Sequence, residues 1–381
     1  MFKVYQYRLY PSRSQERKLD ATRITCQKWY NELLAERKTA YEQRGESISK
    51  YEQLRRVKDH KATSPWAKEV HSHVLQVVVA DLDKAFQSFF RRLKAGEEPG
   101  YPRFRSRTRF ASFGFKELGN GFKMDGRRLR VTGIGRIAVR WHRQVEGTIK
   151  TLRLIKKASG WYACFSVEYT AQALPPTGQE VGVDVGIASL LTTSDGDKTP
   201  KQEWYRREQK KLRVLQRRVA RRTKGGSNRR KAVVALRRQH ERIGNQRKDF
   251  LNKQAATLIT RYDRIAVEDL SITNMVKNRH LAKSILDAGW GYFRTRLYAK
   301  AEEAGRVVVE VNPAYTSKDC SGCGYRFEHL MLRDRWIECP HCGLSLDRDH
   351  NAAINICNRA GHVRWNVSAP IGGLFQEAVG L

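Results

Sequence analysis

Four cysteines stand in two pairs, Cys320-Ser-Gly-Cys323 and Cys339-Pro-His-Cys342, in the pattern CxxC-x15-CxxC. Each pair can set two thiolates on one tight knuckle, and the glycine that follows, Gly324 or Gly343, eases the turn. Two knuckles supply four soft ligands in a tetrahedron, which suits Zn²⁺. Four protein ligands close the coordination sphere, so the pattern predicts one structural Zn²⁺ per chain and no chemistry at it. His341 lies between two of the cysteines and is the alternative donor. Cys26, Cys164 and Cys357 are scattered, so the seven cysteines do not form a disulfide framework and fit a reducing compartment.

Three acids have a different setting. In Gly182-Val183-Asp184-Val185-Gly186, strand alternation puts Asp184 on the face opposite both valines, and the glycines leave room for a ligand or another backbone. In Ile265-Ala266-Val267-Glu268-Asp269, an apolar strand ends on a carboxylate. In Asp347-Arg348-Asp349-His350-Asn351, acids stand where a helix begins. Each alone is ordinary, since the helix dipole by itself favours acids at a helix start. Together, acids at three element ends in a basic chain predict Mg²⁺ beside a phosphodiester, because converging carboxylates repel unless a cation lies between them. A helix from residue 348 would put Asp349, Ala353, Ile356 and Ala360 on one face. Asp347 would lie about 200° around and serve as an N-cap or a solvent-facing acid.

The elements that position these residues follow from periodicity. A strand runs to about Tyr10, and Ser12 is an N-cap. The pattern to about Arg92 is helical, with Leu19, Trp29, Leu33 and Leu34 on one helix and Val74, Leu75, Val78, Leu82, Phe86 and Phe89 on another. After the break at Gly96–Gly100, a period of 2 from Phe110 to Tyr169 predicts strands, with a hairpin closing near Ala158-Ser159-Gly160. Strand 1 is then expected to complete this later sheet. Residues 173–178 read as a linker. A basic helical hairpin spans about Glu203–Tyr262, turning at Lys224-Gly225-Gly226-Ser227, with strands at 264–268 and 307–311. From Trp365 on there is no clear period.

The chain of 381 residues holds 73 Lys+Arg against 39 Asp+Glu, a net charge of +34. Self-repulsion of that size asks for a polyanion, and nucleic acid supplies one. No apolar run approaches the roughly 20 residues of a membrane span, and the opening residues read as a strand rather than a leader.

The order Gly-Val-Asp184-Val-Gly-Ile, Val-Glu268-Asp-Leu, double CxxC and Asp-Arg-Asp349-His-Asn-Ala-Ala-Ile-Asn-Ile resembles that of TnpB proteins, transposon-encoded relatives of the type V CRISPR nucleases. Arg8-Leu9-Tyr10-Pro11, Trp29-Tyr30-Asn31, Tyr101-Pro102-Arg103-Phe104 and Asp287-Ala288-Gly289-Trp290 extend the resemblance over nearly the whole chain. It implies a multidomain α+β and α/β protein. A wedge β-barrel would comprise residues 1–12 and 96–178, with a helical recognition insert at 13–95. A RuvC-like nuclease domain of RNase H fold would span 179–316 and 346–363, interrupted by a zinc ribbon at 317–345 and followed by a tail at 364–381.

The implied activity is RNA-guided endonuclease cleavage of double-stranded DNA beside a short flanking motif. The guide would come from the transposon end, and one chain would act per guide, in the prokaryotic cytoplasm or on the nucleoid. Asp184, Glu268 and Asp349 would hold two Mg²⁺ about 3.5–4 Å apart, with Cys320, Cys323, Cys339 and Cys342 on Zn²⁺. Arg103, Arg105, Arg217, Arg218, Arg221 and Arg222 would grip phosphates. Ser72, His73 and Gln76, with Tyr51, are candidates for reading the motif, since Gln pairs with adenine in the major groove. The alternatives are a guide-binding repressor without cleavage, an RNase H-fold transposase and a structural RNA-binding protein. The repressor would be expected to lack one of the three acids. The transposase leaves the wedge-like half unexplained, and the RNA-binding protein makes the acids accidental.

Overall fold

The computed structural model describes residues 1–331 and 333–361, so the tail expected at 364–381 lies outside the described residues. Packing divides the chain into two units, Met1–Thr170 and the part from Ala171 on.

In the first unit, β1 (Phe2–Tyr10) buries every second side chain, Tyr5, Tyr7 and Leu9. The chain then leaves the sheet. The Ser12 hydroxyl accepts the N–H of Gln15, and the Gln15 side chain accepts that of Ser12, a capping box that starts α1 (Arg13–Arg44). Helices α2 (Lys50–Thr63), α3 (Pro65–Lys68) and α4 (Ser72–Lys94) follow. The residues expected at helical spacing are buried, Leu19 to Leu34 on α1 and Val74 to Phe86 on α4. Phe89 is half-buried, its ring 5.4 Å from that of Tyr101.

The chain returns as β2 (Ser112–Phe115), β3 (Phe122–Asp125), β4 (Arg128–Val131), β5 (Gly135–Arg140), β6 (Thr148–Lys157) and β7 (Gly160–Glu168). The seven strands are antiparallel in the order β2-β6-β7-β1-β5-β4-β3. β1 therefore lies at the middle, between β7 and β5. The barrel expectation needs correction, because β2 and β3 stand at the two edges and do not pair. These strands have four residues each, and the sheet remains a half-barrel over Phe113, Phe115, Phe122, Trp161 and Phe165.

The second unit opens on β8 (Glu180–Asp184), β9 (Ser189–Thr193) and β10 (Lys198–Pro200), an antiparallel meander. The basic hairpin is α5 (Trp204–Ala220) and α6 (Ser227–Arg261). β11 (Arg264–Glu268) then pairs parallel to β8. Short α7 (Ile272–Met275) and α8 (Ala282–Ala288) lead to α9 (Trp290–Ala304) and to β12 (Val307–Val311), parallel to β11. The order is β10-β9-β8-β11-β12. β13 (Trp336–Glu338) and β14 (Ser345–Asp347) form a ribbon, and α10 (Arg348–Gly361) follows. The apolar runs of β8 and β11 are covered on both faces, as parallel central strands usually are.

Candidate active site

Asp184 and Glu268 end the two adjacent central strands, whose register pairs Val183 with Val267. Asp349 comes from the first turn of α10. What brings that helix close is Gly182. A Cβ at Gly182 would lie 2.0 Å from the Ala353 carbonyl oxygen and 2.6 Å from the Cys357 nitrogen, so only glycine lets α10 rest on β8. Ala353, Ile356 and Ala360 are buried along the stripe read from the sequence. His350 Nε2 meets the Ser194 carbonyl at 2.9 Å, which pins the start of the helix beside β9.

The electrostatics show that the acids sense one another. Burial first, and then the charges of Glu268 and Asp349, push Asp184 up to about 8. Burial also raises Glu268, opposed by a hydrogen bond from the Thr316 hydroxyl and by the charge of Arg359. Asp347 differs. Its burial is outweighed by Lys198 at 2.7 Å and by the N–H groups of His350 and Asp349, which hold it below the usual carboxylate range. Asp347 Oδ1 accepts those two N–H groups at 3.1 and 3.0 Å, the geometry of a helix N-cap.

The cysteines converge. Cys320 and Cys342 Sγ are 3.6 Å apart, as are Cys323 and Cys339. Two Zn–S bonds of about 2.3 Å at a tetrahedral angle span about 3.8 Å, so the cluster fits the ion. All four sulfur atoms lie within 4.8 Å of one another, and among the described residues they form the one such group. The three acids do not form such a group among the described residues. Gly324 and Gly343 have φ of 77° and 73°, the left-handed turn expected after each knuckle. His341 stays out of the cluster, its ring stacked on Tyr325 at 6.4 Å.

Arg217, Arg218, Arg221 and Arg222 are exposed at the tip of the α5–α6 hairpin, in the second unit. In the first, Arg103 is exposed, and the Arg105 guanidinium lies over the Tyr30 ring at 5.0 Å. Tyr51 is 72% exposed. Ser72 opens α4, its hydroxyl 3.3 Å from Lys61 Nζ. His73 Nε2 lies 3.3 Å from Asn120, so both residues already have internal partners. Gln76 is half-buried on α4.

Sequence reasoning missed the polar residues that hold α10 to the cysteine segment. Asn351 Nδ2 donates to the Asp319 carbonyl at 2.8 Å, and Asn355 Nδ2 to those of Thr316 and Asp319 at 2.8 and 2.6 Å. Asparagine is a poor helix former, so two of them one turn apart on the side of α10 away from the Ala-Ile stripe were the available signal.

Residues 290–356 match the family described as "Cas12f1-like, TNB domain", 164–279 that described as "Probable transposase", and 1–46 a "Helix-turn-helix domain". Over that last range the structure has β1 and the single long helix α1. The chain is 32% identical to the "Putative RNA-guided DNA endonuclease" of Streptomyces pristinaespiralis over 93% of its own length and 88% of that protein's. It is 30% identical to the "Putative RNA-guided DNA endonuclease InsQ" of Escherichia coli (strain K12), over 94% and 92%. The solved "Cas12f1-sgRNA-target DNA complex" shares the fold, with a TM-score of 0.60 at 14% identity over 91% of this chain and 83% of that one.

Proposed function

The chain belongs to the TnpB family of RNA-guided DNA endonucleases, and from that premise we propose that Asp184, Glu268 and Asp349 form its single cleavage centre. The observation that carries this reading is the set of three acids, one of them pushed up to about 8 by burial and by its neighbours' charges. Such a set sheds its repulsion by keeping a proton or by binding a hard cation, and carboxylate oxygens suit Mg²⁺. Two Mg²⁺ bound there would supply an activated water and a counter-charge for the leaving 3′ oxygen. The chain's own residues contribute ligands and no nucleophile. Asp184 and Glu268 are held at the ends of paired strands, and Asp349 by the seating of α10 on Gly182.

The strand order β10-β9-β8-β11-β12, with the acids at the ends of β8 and β11, supports the RuvC-like reading of the second unit. Within the chain we place the wedge at 1–12 and 96–178, the helical insert at 13–95, and the zinc ribbon at 317–345 inside the nuclease domain. Zn²⁺ on the four thiolates would hold the ribbon folded. The arginines of the α5–α6 hairpin, with Arg103 and Arg105, would hold an RNA–DNA duplex by its phosphates. Of the four candidate motif readers, Ser72 and His73 must first give up their partners, which favours Gln76 and then Tyr51. The work is assigned to the prokaryotic cytoplasm, with one chain per guide RNA.

Co-expression with RNA from the transposon end tests the reading. Plasmids matching the guide and carrying the flanking motif should be cut in Mg²⁺, and mismatched plasmids should stay intact. Joining of strand ends without a guide would favour the transposase that one family description names.

A further inference from the structure

One loop connects the cysteine cluster to the carboxylates. Residues 312–319 leave β12 and lead into the first knuckle, and in their middle Thr316 is 3% exposed. Its hydroxyl meets Glu268 Oε1 and, at 3.1 Å, the Pro313 carbonyl. A hydroxyl has one hydrogen to give, and an ionised carboxylate is the stronger acceptor, so the hydrogen goes to Glu268.

The donor itself is held on several sides. The Thr316 carbonyl accepts Asn355 Nδ2 at 2.8 Å, from the helix that carries Asp349. Arg359, on the same helix, donates to the carbonyls of Asn312 and Ala314 at 2.8 and 2.7 Å. Tyr315 has φ of 65°, a left-handed backbone that a non-glycine residue keeps where its surroundings impose it. The Arg326 guanidinium lies 3.9 Å over its ring.

We propose that Thr316 is a positioning residue of the nuclease centre: its hydroxyl fixes one oxygen of Glu268 and leaves the other for the cation shared with Asp184 and Asp349. This rests on the carboxylate centre proposed above. Glutamate has three rotatable side-chain bonds, and without the fixed donor its carboxylate samples several positions before it can ligate. The ordered loop ahead of the ribbon thereby helps to set how tightly the centre holds its metal.

The test uses guide-bound protein and four variants. Thr316→Val and Thr316→Ala remove the hydroxyl, Thr316→Ser keeps it, and Glu268→Gln controls for the centre itself. Zinc content, Mn²⁺ binding by calorimetry and the Mg²⁺ concentration for half-maximal cutting are measured for each. Thr316→Val and Thr316→Ala should retain zinc, bind Mn²⁺ about tenfold or more weakly and need correspondingly more Mg²⁺, with Thr316→Ser within about twofold of wild type. Wild-type Mn²⁺ binding in Thr316→Val and Thr316→Ala overturns the proposal, as does a Thr316→Ser variant as weak as Thr316→Val. Loss of zinc from both hydroxyl-less variants also overturns it, by placing Thr316 in ribbon folding alone. If Glu268→Gln binds Mn²⁺ and cuts normally, the carboxylate centre is the reading that fails.

Discussion

Asp347 and Asp349 are two residues apart and carry the same functional group, yet the structure surrounds them differently. Asp347 accepts the first N–H groups of α10 and pairs with Lys198, so its charge is already committed to the helix start. Asp349→Ala should abolish cutting while guide and target binding persist. Asp347→Ala should lose about 1 kcal/mol of capping and keep most activity. Mg²⁺-dependent cleavage of a guided plasmid by the two variants separates them. A dead Asp347 variant beside an active Asp349 variant would reverse the assignment.

Asp184 gives a pH signature. An acid raised in the folded state holds its proton there more tightly than in the unfolded chain, so native stability falls as pH climbs from about 4 to about 8. A cation that neutralises the ionised group relieves this loss. The rise in Tm on adding Mg²⁺ should therefore be larger at pH 8 than at pH 5, and the difference should vanish in Asp184→Asn. An equal rise at both pH values would contradict it. Asp184, Glu268 and Asp349 could be picked out as candidates because each sits at the end of a strongly patterned element. Thr316 was not, because its contact with Glu268 spans 48 residues in sequence and the loop that makes it has no period.

At the scale of elements, close approach decides the geometry. Gly182→Ala should displace α10 from β8 and carry Asp349 with it, since the new Cβ meets main-chain atoms that cannot swing aside. Cleavage should fall steeply, with guide binding retained, as measured by parallel cutting and gel-shift assays. The ribbon is a second such element. Replacing Cys320 and Cys323 by serine should remove the zinc and lower Tm, because binding of a structural zinc and local folding are one event. A variant that stays folded and cuts normally would deny the ribbon its structural part. Elements with a clear pattern, such as β1, β11 and β12, were read from the sequence with their ends nearly in place. β10, β13 and β14 were not, because three residues are too short for a period to register. The barrel was implied by the family resemblance, and a half-barrel stands in its place because the edge strands β2 and β3 do not pair.

For the whole molecule, the net charge of +34 is the dominant fact. Purified protein should carry an RNA of about a hundred nucleotides or more, held largely through phosphates and released by salt. Arg217 and Arg218 are exposed near the end of α5. Replacing both by alanine should weaken binding to all targets alike and flatten the salt dependence, by about 0.7–0.9 in slope for each phosphate that is no longer neutralised. A weakening confined to one target base would mark a base reader instead. The central claim is that one carboxylate centre cuts both strands. The direct measurement is strand-resolved cleavage of a guided duplex labelled on each strand in turn, comparing wild type with Asp184→Ala. The account predicts that the variant binds guide and target and cuts neither strand. A variant that still cuts one strand at the wild-type rate would contradict it.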